Sequence, residues 1–520
     1  KLYDRLTGLF VAMDAGDPAL NVPIYSGGLF LTKPAKGDDS REARIARFLA
    51  AHKVPDLFLA QAIDHLARDP DDKTFAMVFI DYKSLGVRQL GSIYEGLLEF
   101  KLKIAAEDLT TVKEKGAEKV IPLSAAKGRK RAEVAVRKGE VYLANDKSER
   151  RASGSYYTPD HIVEYIVENT VGPVLAAKLQ ALRPELRKAE KTHHTWVTNL
   201  RNNPRLLPSH DSDPRDVAAQ QTYGSHADLV EQLFDCRVLD PAMGSGHFLV
   251  EAVDFVTDKL LDFLNSFPHN PIATALERTR RSILESLTDQ GVSVDPDKLT
   301  DVHLLKRHVL KRCIYGVDLN LMAVELAKVS LWLDAFTLGA PLSFLDHHLR
   351  CGNSLIGEMD LSQHMLPGSR READMLRAVT EMLTIGRSAD ARVEDVKASQ
   401  ALYADIEQIE RPFRRRLNVN TASYFIDIKD VDAAGGFAFD DSFDPDHPPS
   451  GRERSSKDFV AAQPVASGRR FFHWPLEFPE VFFGIAEGTQ RKMVTTMPPA
   501  GGFDAIVGNP PYVRQETLKA

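Results

Sequence analysis

The stretch Val238-Leu239-Asp240-Pro241-Ala242-Met243-Gly244-Ser245-Gly246-His247-Phe248-Leu249 reads as strand, glycine turn and helix. Gly244 and Gly246 lack a Cβ, so the backbone there can approach a ligand closely. The helix opening at His247 offers free N–H groups that favour a carboxylate or phosphate. A dinucleotide-binding loop shares the Gly-x-Gly turn, but its fingerprint needs a third glycine where the helix starts, and Leu249 stands there.

Working outward, a second apolar run, Cys313-Ile314-Tyr315-Gly316-Val317-Asp318, reads as a strand, and an apolar helix is expected over Met322 to Phe336. A carboxylate at a strand's carboxyl end can accept both hydroxyls of a ribose, and Asn320 can cap the following helix in its place, leaving Asp318 freer for a ligand. Cys351-Gly352-Asn353-Ser354-Leu355-Ile356-Gly357 reads as a polar turn. Upstream, Tyr156-Tyr157-Thr158-Pro159 leads into a helix, with Pro159 suited to its first turn. Near the end, Phe503-Asp504-Ala505-Ile506-Val507-Gly508 reads as a buried strand. It stops at glycine and delivers Asn509-Pro510-Pro511-Tyr512: an amide, rigidly held carbonyls and a stacking ring. These groups suit a planar substrate carrying an NH2 group. Strands alternating with helices argue for a parallel α/β sheet.

The 520 residues exceed one ordinary domain, and 43% hydrophobic with 27% charged residues is ordinary for a globular protein. No apolar run reaches membrane-spanning length and no signal peptide opens the chain, so a cytoplasmic setting without a membrane partner is expected. Three widely spaced cysteines, Cys236, Cys313 and Cys351, support neither a disulfide framework nor a metal site. The net charge of −7 leaves a nucleic-acid partner open, and the basic clusters Lys127-Gly128-Arg129-Lys130-Arg131 and Arg411 with Arg414-Arg415-Arg416 read as solvated faces first. Residues 1–150 are expected to be a mainly helical region, with a helix over Leu90 to Phe100 and a charged ribbon or connector over 111–150. A loop is expected over 192–226, helical insertions over about 255–312 and 360–470, and poor order over 434–456. Beginning at Lys1 and ending a few residues past Tyr512, the chain reads as a fragment.

Taken together, these motifs resemble the gamma-class N6-adenine DNA methyltransferases of the type IIG restriction–modification group, with relatives among the BREX and DISARM phage-defence methylases. The resemblance covers about 153–520 and follows the gamma order: Thr-Pro element, glycine loop, Asp strand, Asn turn, Pro-Pro loop. Phe472-His473-Trp474-Pro475-Leu476-Glu477-Phe478-Pro479-Glu480-Val481-Phe482 is similar to the segment before that family's catalytic strand. The resemblance implies a Rossmann-like S-adenosylmethionine-dependent methyltransferase domain over 151–520. It further implies that the cofactor is held by Thr158, Asp240, Ala242, Gly244, Gly246, Asp318, Leu319 and Asn353, and that Asn509, Pro510, Pro511 and Tyr512 act on a flipped adenine of double-stranded DNA. Met243 departs from the family's usual cysteine. No convincing nuclease pattern precedes the domain, so cleavage by this chain is not expected, and other subunits of a restriction or phage-defence system are candidate partners beside double-stranded DNA. Competing readings are methylation of RNA adenine, cytosine N4 or protein glutamine, a non-catalytic DNA-binding subunit, and a NAD-dependent oxidoreductase. The oxidoreductase is disfavoured by the missing third glycine.

Overall fold

A computed structural model describes residues 1–25, 30–38, 41–70, 76–80, 89, 100–114, 117–126, 134–145, 158–209, 212–361, 368–440, 442–447, 449–486, 492–495 and 502–510. At its centre lies a parallel sheet of β1 (Val238–Asp240), β2 (Ile314–Asp318), β3 (Leu349–Cys351) and β4 (Ala505–Ile506), in the order β4-β1-β2-β3. Registers such as Val238↔Ile314, Gly316↔Leu349 and Ala505↔Val238 fix the alignment. The chain runs from β1 to β3 in one direction and returns to place β4 on the other side of β1. That reversal opens a crevice at the strands' carboxyl ends, where open α/β sheets take their ligands.

Both faces of the sheet are buried, and the two-residue period of a strand divides its side chains between them. Val238, Ile314, Leu349, Ala505 and Val507 join one apolar cluster. Leu239, Tyr315 and Val317 join the other. The first face is covered by four helices: α1 (Asp160–Asn202), α2 (His247–Leu264), α3 (Asp301–Cys313) and α4 (Leu321–Asp334). Val163, Val167, Val171, Leu175, Leu179, Leu182 and Leu186 form the inward stripe of α1, at the three- and four-residue spacing of one helix face. The second face is covered by α5 (Arg370–Arg387), α6 (Val393–Ala422) and the aromatic segment Phe472–Phe483. The helices expected as an insertion over 360–470 therefore supply a whole layer of the core. A further helix, α7 (Glu453–Arg469), packs on α6.

Charged groups lock this second layer to the sheet. Glu477 accepts from Arg350 Nε at 2.8 Å and is paired with Arg414, which also holds Glu410 at 3.1 Å. Burial alone would raise the Glu477 carboxyl, but Arg350 and Arg414 outweigh it and hold it down at about 2. Arg416 is bound to Asp432 and to the Val431 carbonyl. Two of the arginines read as a solvated basic face are thus consumed inside the fold, whereas Lys127–Arg131 lies outside the described residues.

Several expectations are corrected. Helices span Leu2–Ala15, Arg41–Ala51 and Asp56–Ala67, but ladders pair Phe100–Ile104 with Val141–Asn145 and Leu109–Glu114 with Ala117–Pro122, so the N-terminal region is mixed rather than mainly helical. The expected helix over Leu90–Phe100 lies outside the described residues except for Phe100, which opens a strand. In place of a loop over 192–226, α1 continues to Asn202 and a helix capped by Asp213 spans Pro214–Ser225. His193, Leu200, Ala218 and Thr222 are buried there, and tertiary packing overrides the polar composition. Within 434–456, Phe437 is buried and its ring lies against that of Phe443, tilted by 38° with centroids 4.4 Å apart, giving this Gly/Asp-rich stretch an aromatic anchor. In the last strand Ala505 and Val507 are buried as expected, but Ile506 is exposed because β4 is an edge strand among the described residues. No helix of the described residues is long and apolar enough to cross a membrane.

Candidate active site

The loop after β1 is tied down by its own backbone and by β2. Asp240 Oδ1 accepts from the Ala242 N–H at 3.0 Å, Met243 N donates to Val317 O at 3.0 Å, and Gly246 N donates to Met243 O at 2.8 Å. Gly246 has φ +85 and a Cβ there would meet Ala327 Cβ on α4 at 3.1 Å, so both conformation and space require glycine. Gly244 has φ +55, and a Cβ there would meet nothing within 4 Å, which leaves open space over the loop. Met243 is buried beneath it, where a Cβ on Gly316 would overlap its sulfur. The bare Gly316 backbone is what accommodates the Met243 side chain.

Asp318, at the end of β2, accepts Gly244 N on Oδ2 at 3.0 Å and Asn320 N on Oδ1 at 2.7 Å. Asn320 caps α4 by accepting Met322 N at 2.9 Å, as expected. Asp318 is nevertheless less free than expected, since each oxygen already holds one backbone partner and keeps only its second lone pair for a ligand. Burial raises its carboxyl pKa, opposed by the two N–H bonds and by Arg470. Leu319 follows with its side chain exposed. Beyond β3, Asn353 turns its Oδ1 inward to accept Leu355 N at 3.1 Å, while its own N–H donates to Arg470 O at 2.7 Å.

The two most distant motifs meet here. Asp504 accepts Arg237 N at 2.8 Å and pairs with Lys178 of α1 at 2.9 Å, binding the start of β4 to β1 and to the long helix. Val507 N donates to Leu239 O at 2.9 Å and carries the chain past the end of β1. Gly508 (φ +145) lies against Asp240, where a Cβ would come within 2.7 Å of Oδ1. The next residue, Asn509, donates from Nδ2 to Thr158 Oγ1 at 3.2 Å, across 351 residues of sequence. Asn509 and Pro510 are exposed; Pro511 and Tyr512 lie outside the described residues. Burial pushes the Asp240 carboxyl up to about 7, with the Ala242 N–H opposing and Asp318 adding to the rise. The first turns of α1 and α2 face one another, and His247 Nε2 lies 3.2 Å from Asp160 Oδ1.

Two contributors carried no motif in the sequence: Asp160, which faces His247, and Arg470. His247 and Gly508 were legible as the residue opening the helix and the glycine ending the strand, but not as neighbours of Asp160 and Asp240. A cavity of about 290 Å³ elsewhere, lined by Arg237, Arg312, Tyr315, His348 and Glu480 among others, sits at the strands' amino ends. Its charges are largely spent on each other, as in Arg312–Glu231 at 3.2 Å and His348–Glu480 at 3.3 Å, so it is not the candidate site.

A parallel sheet with a glycine loop, a carboxylate at the next strand and an Asn-Pro loop brought to their ends is compatible with a methyltransferase fold. Residues 312–520 match the family described as Eco57I restriction-modification methylase. The chain is also 28% identical over 235 residues to "Putative type II restriction enzyme and methyltransferase RM.MjaORFECS2P" of Methanocaldococcus jannaschii; the match takes in 43% of this chain and spans only 16% of that relative's length. Both matches are to restriction-modification proteins whose printed descriptions include a methylase or methyltransferase.

Proposed function

We propose that residues 151–520 form a Rossmann-like catalytic domain of the gamma class, which transfers a methyl group from S-adenosylmethionine to N6 of a flipped-out adenine in DNA, within a restriction–modification or phage-defence system. The observation that carries this reading is the Asn509–Thr158 hydrogen bond, which joins the catalytic and upstream motifs beside the glycine loop. The residues suit the cofactor: open space over Gly244, the helix start at His247 for its carboxylate, and the remaining lone pairs of Asp318 for its ribose hydroxyls. That cofactor supplies an electrophilic methyl group. The protein's part is alignment.

The N6 lone pair of adenine is delocalised into the ring and is a poor nucleophile. Two acceptors facing its hydrogens would favour a tetrahedral nitrogen with the lone pair directed at the methyl. Because Asn509 spends its amide nitrogen on Thr158, its Oδ1 is oriented as an acceptor, and the Pro510 carbonyl serves as the second. Tyr512 would stack on the base once it leaves the duplex. The test is incubation of the intact protein with labelled S-adenosylmethionine and DNA, followed by nucleoside analysis. Label in N6-methyladenine supports the reading, and label found only in RNA, protein or cytosine overturns it.

Gly508→Ala gives a sharper check on geometry. A Cβ within 2.7 Å of Asp240 Oδ1 must displace the loop that delivers Asn509. Methyl transfer should fall about a hundredfold, the cost of misplacing a reacting group by about 1 Å. Cofactor affinity, measured by calorimetry, should change far less.

A further inference from the structure

Three non-glycine residues among those described adopt positive φ: Asn21, Asp390 and Arg470. Asn and Asp tolerate this region through short polar side chains, but arginine has no such compensation. Arg470, at φ +54 and ψ +56, follows α7 at the position where helices ordinarily place glycine. Its guanidinium crosses to the candidate site, donates to Leu319 O and lies 3.7 Å from Cys351 Sγ. Its own carbonyl accepts the Asn353 N–H at 2.7 Å. One residue thus joins the turn after β2 to the turn after β3, at the return point of the helical layer that covers the sheet.

Observed strain of this kind persists where a side chain does something that the unstrained residue cannot. We propose that Arg470 is a positioning residue for the cofactor: its guanidinium fixes the Asp318-Leu319-Asn320 turn, its carbonyl fixes Asn353, and the α5–α7 layer is thereby coupled to cofactor binding. This rests on the reading of Asp318 as the ribose ligand. Arg470 also opposes the upward push of burial on the Asp318 carboxyl, which favours the ionised acceptor. The sequence holds no local signal for it, because the partner carbonyl lies 151 residues upstream.

Arg470→Gly separates the two roles of the residue. Glycine relieves the left-handed backbone and removes the guanidinium. In the intact protein the melting temperature should stay equal or rise, while the Kd and KM for S-adenosylmethionine rise about tenfold, the effect of losing one hydrogen bond to a charged group. The kcat at saturating cofactor should remain within about twofold, since Arg470 does not reach Asn509. Wild-type affinity in the Arg470→Gly variant overturns the proposal, as does a loss of affinity matched by a loss of melting temperature. Wild-type protein that fails to bind S-adenosylmethionine overturns the cofactor reading itself, and this proposal with it.

Discussion

Asn509→Ala is expected to lower methyl transfer about a thousandfold while leaving S-adenosylmethionine affinity within about twofold. The asymmetry follows from where Asn509 stands. On the proposed reading the cofactor would lie against the β1 loop, Asp318 and the helix start at His247, whose hydrogen bonds close among themselves: Met243 to Val317, Gly244 to Asp318 and Gly246 to Met243. Asn509 stands outside this set: its amide nitrogen donates to Thr158 and the residue is exposed. On that reading, truncation would remove an acceptor for the adenine amino group and leave the hydrogen bonds of the β1 loop in place. Rates under single turnover, beside calorimetric binding, give the measurement. If affinity and rate fall together, Asn509 belongs to the cofactor site rather than to the target base. A Thr158→Val variant isolates the orienting bond: it should cost roughly tenfold in rate, less than loss of the amide itself, because Asn509 remains but samples other rotamers.

The elements that position this site were legible for physical reasons that act locally. The glycine loop needs positive φ at Gly244 and Gly246, and only glycine meets that need without strain. Asn320 caps α4 two residues after Asp318, a short-range hydrogen bond that sequence spacing displays directly. What failed depended on partners distant in the chain. Polar composition suggested a loop after residue 192, yet α1 runs on to Asn202 because it packs against the Pro214–Ser225 helix. The Gly/Asp-rich stretch near 440 is held by Phe437 and Phe443 against Phe459 of α7. Arg414 and Arg416 looked like surface charge until Glu477 and Asp432 were brought to them. The same limit hid how fully Asp318 is engaged, since Gly244 reaches it across 74 residues.

The largest expected effect on stability is at Asp390, in the bend between α5 and α6. Its carboxylate is fully buried and accepts Lys311 Nζ at 2.7 Å, Phe344 N at 2.9 Å and Ser388 Oγ at 2.9 Å. Arg307 binds the same bend through the carbonyls of Ala389 at 2.7 Å and Asp390 at 2.6 Å. Two cations of α3 thereby pin the second helical layer to the first, beneath the sheet that carries the site. Asp390→Asn keeps the shape, and Asn tolerates the φ of +47, so backbone strain is not added. It leaves the Lys311 ammonium buried without its counter-charge, at a cost of about 3–5 kcal/mol. Burial already lowers Lys311 from its ordinary 10.5 to about 8 even though Asp390 opposes the fall. A lysine whose pKa is lower folded than unfolded weakens the fold most below its folded pKa and recovers as pH rises toward 10.5, because the unfolded chain then holds the extra proton. The loss in Asp390→Asn should therefore be greatest near neutral pH and shrink steadily in alkaline buffer, as read by urea unfolding across that range. Lys311→Met should be milder, since Asp390 keeps its backbone and hydroxyl donors. Equal losses in the two variants, or a deficit that does not change with pH, would show that the pair contributes only shape.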